Sequence, residues 1–155
     1  MLRTLPLVLL VVILAALAPG AARADDSAVA GSVTKWSLRI GPKANALSTQ
    51  MSASTSPDTA LGFLNSFTRV ARQGAAGIAA TKPSSKTGAR LKLLAKRSFV
   101  NFSNSGALLI KAVRMKKAGK TDAEITPVVD QAVKLANVGS VQLKNASSLI
   151  AKIAG

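Results

Sequence analysis

Between residues 60 and 78, apolar or small side chains recur at Ala60, Leu64, Phe67, Ala71, Gly74 and Ile78, in alternating steps of four and three. This spacing averages 3.5 residues. It lays one stripe along a helix and none along a strand, whose faces repeat every two residues. A start signal precedes the stripe. Ser56 can accept a hydrogen bond from the first helical turn, Pro57 has its φ pre-set for that turn, and Asp58 faces the positive helix end.

A second and longer seam runs through Val129, Ala132, Ala136, Gly139, Leu143, Ala146, Ile150 and Ile153, with steps of three and four. Two helix starts compete before it. Thr121-Asp122-Ala123-Glu124 matches a capping box, whereas Thr126-Pro127 offers a cap followed by a first-turn proline. Pro127 would fall inside a helix begun at Thr121, so Thr126 is the predicted start. Gly139 offers a point at which this helix could weaken or divide.

Residues 89–118 also read as helical. Leu91, Ala95, Phe99, Phe102, Gly106, Leu109 and Val113 share a stripe, and Lys86, Arg90, Lys96, Arg97, Lys111 and Arg114 fall opposite it. Leu93, Val100 and Leu108 point backwards too, and Ser103 to Gly106 offer a break that would make two helices of one. Gly119 is the expected stop. The linkers are taken as residues 52–56 and 80–88.

The predicted fold is therefore all-α, a small antiparallel helical bundle of three to four main helices. A short extended N-terminal segment is the alternative for what precedes it. Asp25 to Gly31 reads as a flexible lead-in. From Lys35 to Ile40 polar and apolar residues alternate, the period of a strand, and Gly41-Pro42 ends the run. A short strand stands level here with irregular or helical structure, and Pro42 could open a short helix reaching Met51. The chain divides into a signal peptide at 1–24, an N-terminal segment at 25–56 and a helical bundle at 57–155.

The signal peptide rests on Arg3, the apolar run from Leu5 to Pro19, and small residues at Ala22 and Ala24. The run falls short of the roughly 20 residues that span a bilayer. Cleavage after Ala24 and export follow, to the extracellular space or to a periplasm. Small exported domains usually carry disulfides, yet there is no cysteine here. Packing alone must hold the fold, with four Phe, one Trp and no Tyr as its aromatic material.

Charge is the strongest functional signal. The chain carries 21 Lys and Arg against 6 acids, and loss of Arg3 and Arg23 with the leader lowers the net charge from +15 to +13. Residues 59–121 hold thirteen bases and no acid. One-signed charge on this scale repels itself, which is tolerated for solubility or kept to attract an anionic partner.

Enzyme chemistry has little to work with. With no His and no Cys, imidazole and thiolate metal sites are closed, as are nucleophile–His pairs. Asp58, Asp122, Glu124 and Asp130 are better explained as helix-start charges than as paired catalytic carboxylates. Ser32-Val33-Thr34-Lys35 and Lys86-Thr87-Gly88 match two short motifs of penicillin-recognising enzymes, but the Ser-Asp-Asn element between them is missing. Matches this short arise by chance in a chain rich in Ser and Lys. No catalytic residue, cofactor or metal is expected.

The sequence therefore predicts a secreted basic protein that binds an anionic partner, an acidic polysaccharide or an anionic membrane surface. The expected contacts are Arg90, Lys96, Arg97, Lys111, Arg114, Lys116, Lys117 and Lys120. Export argues against nucleic acid. The alternatives are a membrane-active defence protein and a self-associating structural protein built on the small-residue seams. Asn101 and Asn145 head glycosylation sequons for a eukaryotic cell.

Overall fold

The computed structural model describes residues 24–52 and 56–154, and over these the chain forms four helices. They are α1 (Ala24–Ser52), α2 (Pro57–Ala79), α3 (Lys86–Lys117) and α4 (Asp122–Ala154). The expected signal peptide lies almost wholly outside the described residues. Turns of a few residues join α2 to α3 and α3 to α4, which makes each pair antiparallel. α3 is the central helix, packed along both α2 and α4. α1 lies chiefly on α2, with lesser contact to α3 and α4.

The seams predict the buried faces closely. Ala60, Leu64, Phe67, Ala71, Gly74 and Ile78 are all buried in α2. In α3 the stripe from Leu91 to Leu109 is buried, and Ser98, Ser105 and Ala112 join it. Ser103 to Gly106 does not break α3, because Ser105 and Gly106 face inward and pack. α4 likewise runs unbroken through Gly139.

Two features differ from expectation. Residues 24–52 form one helix, so the expected loose lead-in at Asp25 to Gly31 is helical, and of the alternatives left open for Lys35 to Ile40 the helix forms. A short window hides the reason. Val29, Val33, Ile40 and Leu47 are buried, with Trp36 and Ala44 packed against them. Their steps of three and four continue past Gly41 and Pro42, and Leu38, the middle of the apparent strand face, is 60% exposed. Pro42 removes one backbone bond, to the carbonyl of Leu38. That carbonyl sits at an exposed residue, where water can serve it.

The second difference is the start of α4, at Asp122 rather than after Thr126. Thr121 Oγ1 accepts from the Glu124 N–H at 3.3 Å, and Glu124 Oε2 accepts from the Thr121 N–H at 2.9 Å. The box satisfies two end donors at once, and Ile125 gains a buried place. Pro127 is tolerated one turn later because the carbonyl it deprives, at Ala123, is on an exposed residue.

With so few aromatics, close approach does much of the packing. A Cβ on Gly74 would lie 2.4 Å from the Phe99 ring, and one on Gly139 2.9 Å from the Phe102 ring. Phe102 meets Phe99 and Phe67 edge-on, with centroids 6.1 and 6.2 Å apart. Across the α3–α4 seam, buried Ser98 Oγ donates to the Gly139 carbonyl at 2.7 Å. At the far end of α3, Gly119 adopts φ +75°. Its N–H bonds the Lys116 carbonyl and the Lys120 N–H bonds Met115, a double closure of the helix end that a left-handed glycine permits.

α1 is fastened at its first turn. Asp26, expected in a loose terminus, is only 5% exposed. One carboxylate oxygen accepts from the N–H groups of Ser84 and Ser85, at 2.9 and 3.2 Å. Ser85 in turn caps α3 by accepting from the Gly88 N–H at 3.0 Å. The Ser85 hydroxyl, and then the two backbone N–H groups, hold the Asp26 carboxyl below the usual carboxylate range, against the opposing effect of burial.

Replacing Phe99 by Ala should lower unfolding free energy by about 3–5 kcal/mol. Gly74→Ala should also destabilise, although Ala favours a helix by about 1 kcal/mol over Gly, because Phe99 fills the space its methyl would need. Denaturant titration followed by far-UV circular dichroism measures both. Asp26→Ala should cost about 1–3 kcal/mol at neutral pH through its orphaned N–H partners. A depressed carboxyl pKa stabilises above the unfolded value near 3.9 and loses that contribution as pH falls through the folded value. The gap between wild type and Asp26→Ala should therefore hold from about pH 8 to 5 and shrink below about pH 4.

Candidate anion-binding site

Folding sorts the eight expected contacts into two groups. The first surrounds the α3–α4 turn. Lys116 pairs with Asp122 at 2.8 Å, Lys117 with Asp58 at 2.6 Å and Lys120 with Glu124 at 2.9 Å. Lys116 draws the Asp122 carboxyl below its ordinary range, and Lys120 does the same to Glu124, aided by Thr121. All three pairs are exposed, so each adds little stability. Their effect on the surface is larger, since each cancels a positive charge locally. Three of the eight expected contacts therefore lie at a neutralised end of the bundle.

The second group has no such partners. Arg90, Lys96, Arg97, Lys111 and Arg114 are exposed on α3, on the side turned away from the core stripe. None of them forms an ion pair or a side-chain hydrogen bond among the described residues. The α2 surface beside them adds Arg69 and Arg72, both exposed. Between Asp58 and the end of α3, no described residue is acidic.

Within this face the chain forms a cleft of about 530 Å³ between α2 and α3. Asn65, Thr68, Arg69, Arg72 and Gln73 line it from α2, and Ala107, Ile110 and Arg114 from α3. Thr68 is 7% exposed, and its Oγ1 has no hydrogen-bond partner. It packs against Gly106, where a Cβ would come within 2.2 Å of that oxygen. Arg69 and Arg72 are three residues apart on one helical face, so both reach the same cleft. Sequence reasoning placed Arg114 but did not single out Arg69 and Arg72. Both lie off the α2 seam of Ala60 to Ile78, and periodicity alone does not show that their face adjoins Arg114.

Apolar side chains stand among the bases. Leu93 is 46% and Val100 38% exposed, each one turn from Arg97 and Lys96. The small-residue seams considered for self-association are taken up inside the chain, with Gly74 and Gly139 covered by Phe99 and Phe102. Of the sequon residues, Asn145 is exposed on α4. Asn101 sits between α3 and α4, where its Nδ2 donates to Gln142 Oε1 at 2.9 Å. Among the described residues, no helix is long and apolar enough to cross a membrane.

Comparison with protein-family models, curated proteins and solved structures finds no match for this chain.

Three like charges sharing one cleft repel. Replacing Arg69, Arg72 and Arg114 together by Gln should raise the melting temperature at low ionic strength, by roughly 1–4 °C. The gain should fade in 1 M salt, where the screening length is about 3 Å. Calorimetry at two salt concentrations reads both effects.

Proposed function

We propose that the protein is exported and binds an anionic partner outside the cytoplasm through the outer face of α2 and α3. The observation that carries this reading is the separation of charge on the folded chain. Asp58, Asp122 and Glu124 stand in first helical turns and hold lysines at one end of the bundle. The face of Arg69, Arg72, Arg90, Lys96, Arg97, Lys111 and Arg114 is left with its positive field intact. Solubility alone would be served as well by mixed charge, without self-repulsion.

An acidic polysaccharide and an anionic membrane surface both suit such a field. Exposed Leu93 and Val100, which flank Lys96 and Arg97, favour the membrane as a second form of the reading, since apolar side chains can enter a lipid interface. The apolar leader and its small-residue cleavage site support export. Asp26, which fastens α1, would then lie second in the mature chain.

The test is binding of residues 25–155 to a sulfated polysaccharide and to phosphatidylglycerol vesicles over a salt series. Binding to at least one should weaken steeply with salt, as expected for a multi-charge contact. The combined substitution Arg90→Gln, Lys96→Gln, Arg97→Gln and Lys111→Gln should weaken it at least about tenfold, given about 1 kcal/mol per base near an anionic surface. It should also flatten the salt dependence. No retention of the wild type by either ligand at 50 mM salt, an ionic strength well below the ~0.15 M of physiological buffers, would refute the reading. Leakage from anionic vesicles but not from neutral ones would mark a membrane-active protein.

A further inference from the structure

We infer that the cleft of Arg69, Arg72 and Arg114 is a saturable site for a single phosphate or sulfate monoester group carried by the anionic partner. The inference rests on the proposed function and adds to it a defined pocket and a ligand chemistry.

The first argument is composition. The chain has thirteen lysines and eight arginines, yet every base lining the cleft is an arginine. A lysine ammonium is a mobile point charge, sufficient for a diffuse field. A guanidinium is a planar fork that grips two oxygens at once. Two forks rise from α2 and the third stands across the cleft on α3. A tetrahedral oxyanion presents at least three oxygens in different directions and can engage all three. A carboxylate has two oxygens in one plane and cannot offer each fork an oxygen of its own.

The second argument is what else lines the cleft. No carboxylate is present, so an entering anion meets no repulsion. The Asn65 and Gln73 side-chain amides can donate to further oxygens. Ala107 and Ile110 supply an apolar wall, which lowers the local dielectric and strengthens each charged contact. The Thr68 hydroxyl in the α2 wall has no partner. The three guanidinium groups are likewise unpaired among the described residues, whereas Lys116 and Lys117, within a turn of Arg114, both have acids. The volume of about 530 Å³ exceeds that of one such group and leaves room for part of the molecule bearing it.

The test compares wild type with two triple variants, one with Arg69, Arg72 and Arg114 replaced by Lys and one by Gln. All three side chains are exposed, and circular dichroism checks that both variants fold. The probes are inorganic phosphate, a heparin-derived sulfated oligosaccharide, polygalacturonate (which carries carboxylates only) and phosphatidylcholine vesicles containing phosphatidic acid. In wild type, inorganic phosphate should shift the arginine side-chain N–H resonances of the cleft and saturate. The Lys variant keeps the net charge. It should retain polygalacturonate binding within about twofold, yet lose at least about tenfold in affinity for the sulfated oligosaccharide or the phosphatidic acid vesicles. The probe that suffers this loss identifies the source of the group. The Gln variant should lose at least as much.

If the Lys variant binds every probe as wild type does, the cleft inference is overturned while the wider reading of a basic face stands. If phosphate saturates the cleft and neither polymer nor vesicle binds, the cleft stands as a site for a free oxyanion and the wider reading falls. If no probe binds and phosphate moves no arginine resonance, both fall.

Discussion

Close approach of helices is the constraint on which the rest depends. The chain has no cysteine, one Trp and four Phe, so its core must come from contact between aliphatic and small side chains. Gly74 and Gly139 bring α2 and α4 within reach of α3, and Phe99 and Phe102 fill the space thus created. Such packing stabilises by dispersion and burial together. It also fixes the depth at which each helix sits, because a methyl group at either glycine would meet a ring. That depth in turn sets the distance between Arg114 on α3 and the arginines of α2.

The placement of acids follows a matching logic. There are six acids for 21 bases, and each acid that the structure pairs is at or near a helix start. Asp26 serves two N–H groups ahead of α3, Glu124 completes the box that opens α4, and Asp58 and Asp122 stand in first turns beside lysines. Helix ends need negative charge because their N–H groups have no partners. Asp130, expected as a helix-start charge, lies inside α4 because that helix opens at Asp122, and the other five acids stand in first turns, so none falls in the middle of α2 or α3. The basic face thus follows from how few acids there are and where the fold uses them.

Much of this could be read from the residues, and the boundary of what could be read is physical. The α2 and α4 seams were legible because a repeat of three and four over twenty residues has one geometric solution. The stripe of α1 was not, since Gly31, Gly41 and Pro42 interrupt it and six residues around Trp36 fit either period. The start of α4 turned on whether a capping box outweighs a misplaced proline. Local rules favour the start that keeps the proline in the first turn, whereas the buried place of Ile125 decides for the box. Asp26 looked like part of a loose terminus because its partners, Ser84 and Ser85, lie more than fifty residues away.

The candidate site divides in the same way. A block of thirteen bases without an acid is a property of the chain, and so is the helical character of the segments that carry it. These follow from composition and short-range periodicity, which need no knowledge of neighbours. Which bases remain free was decided by tertiary structure. Lys117 meets Asp58 only because α2 and α3 are antiparallel, and Arg114 faces Arg69 and Arg72 for the same reason. Contacts between residues far apart in sequence depend on which helix lies beside which. That choice is made by the packing of buried faces, through groups on the opposite side of each helix from the charges it arranges.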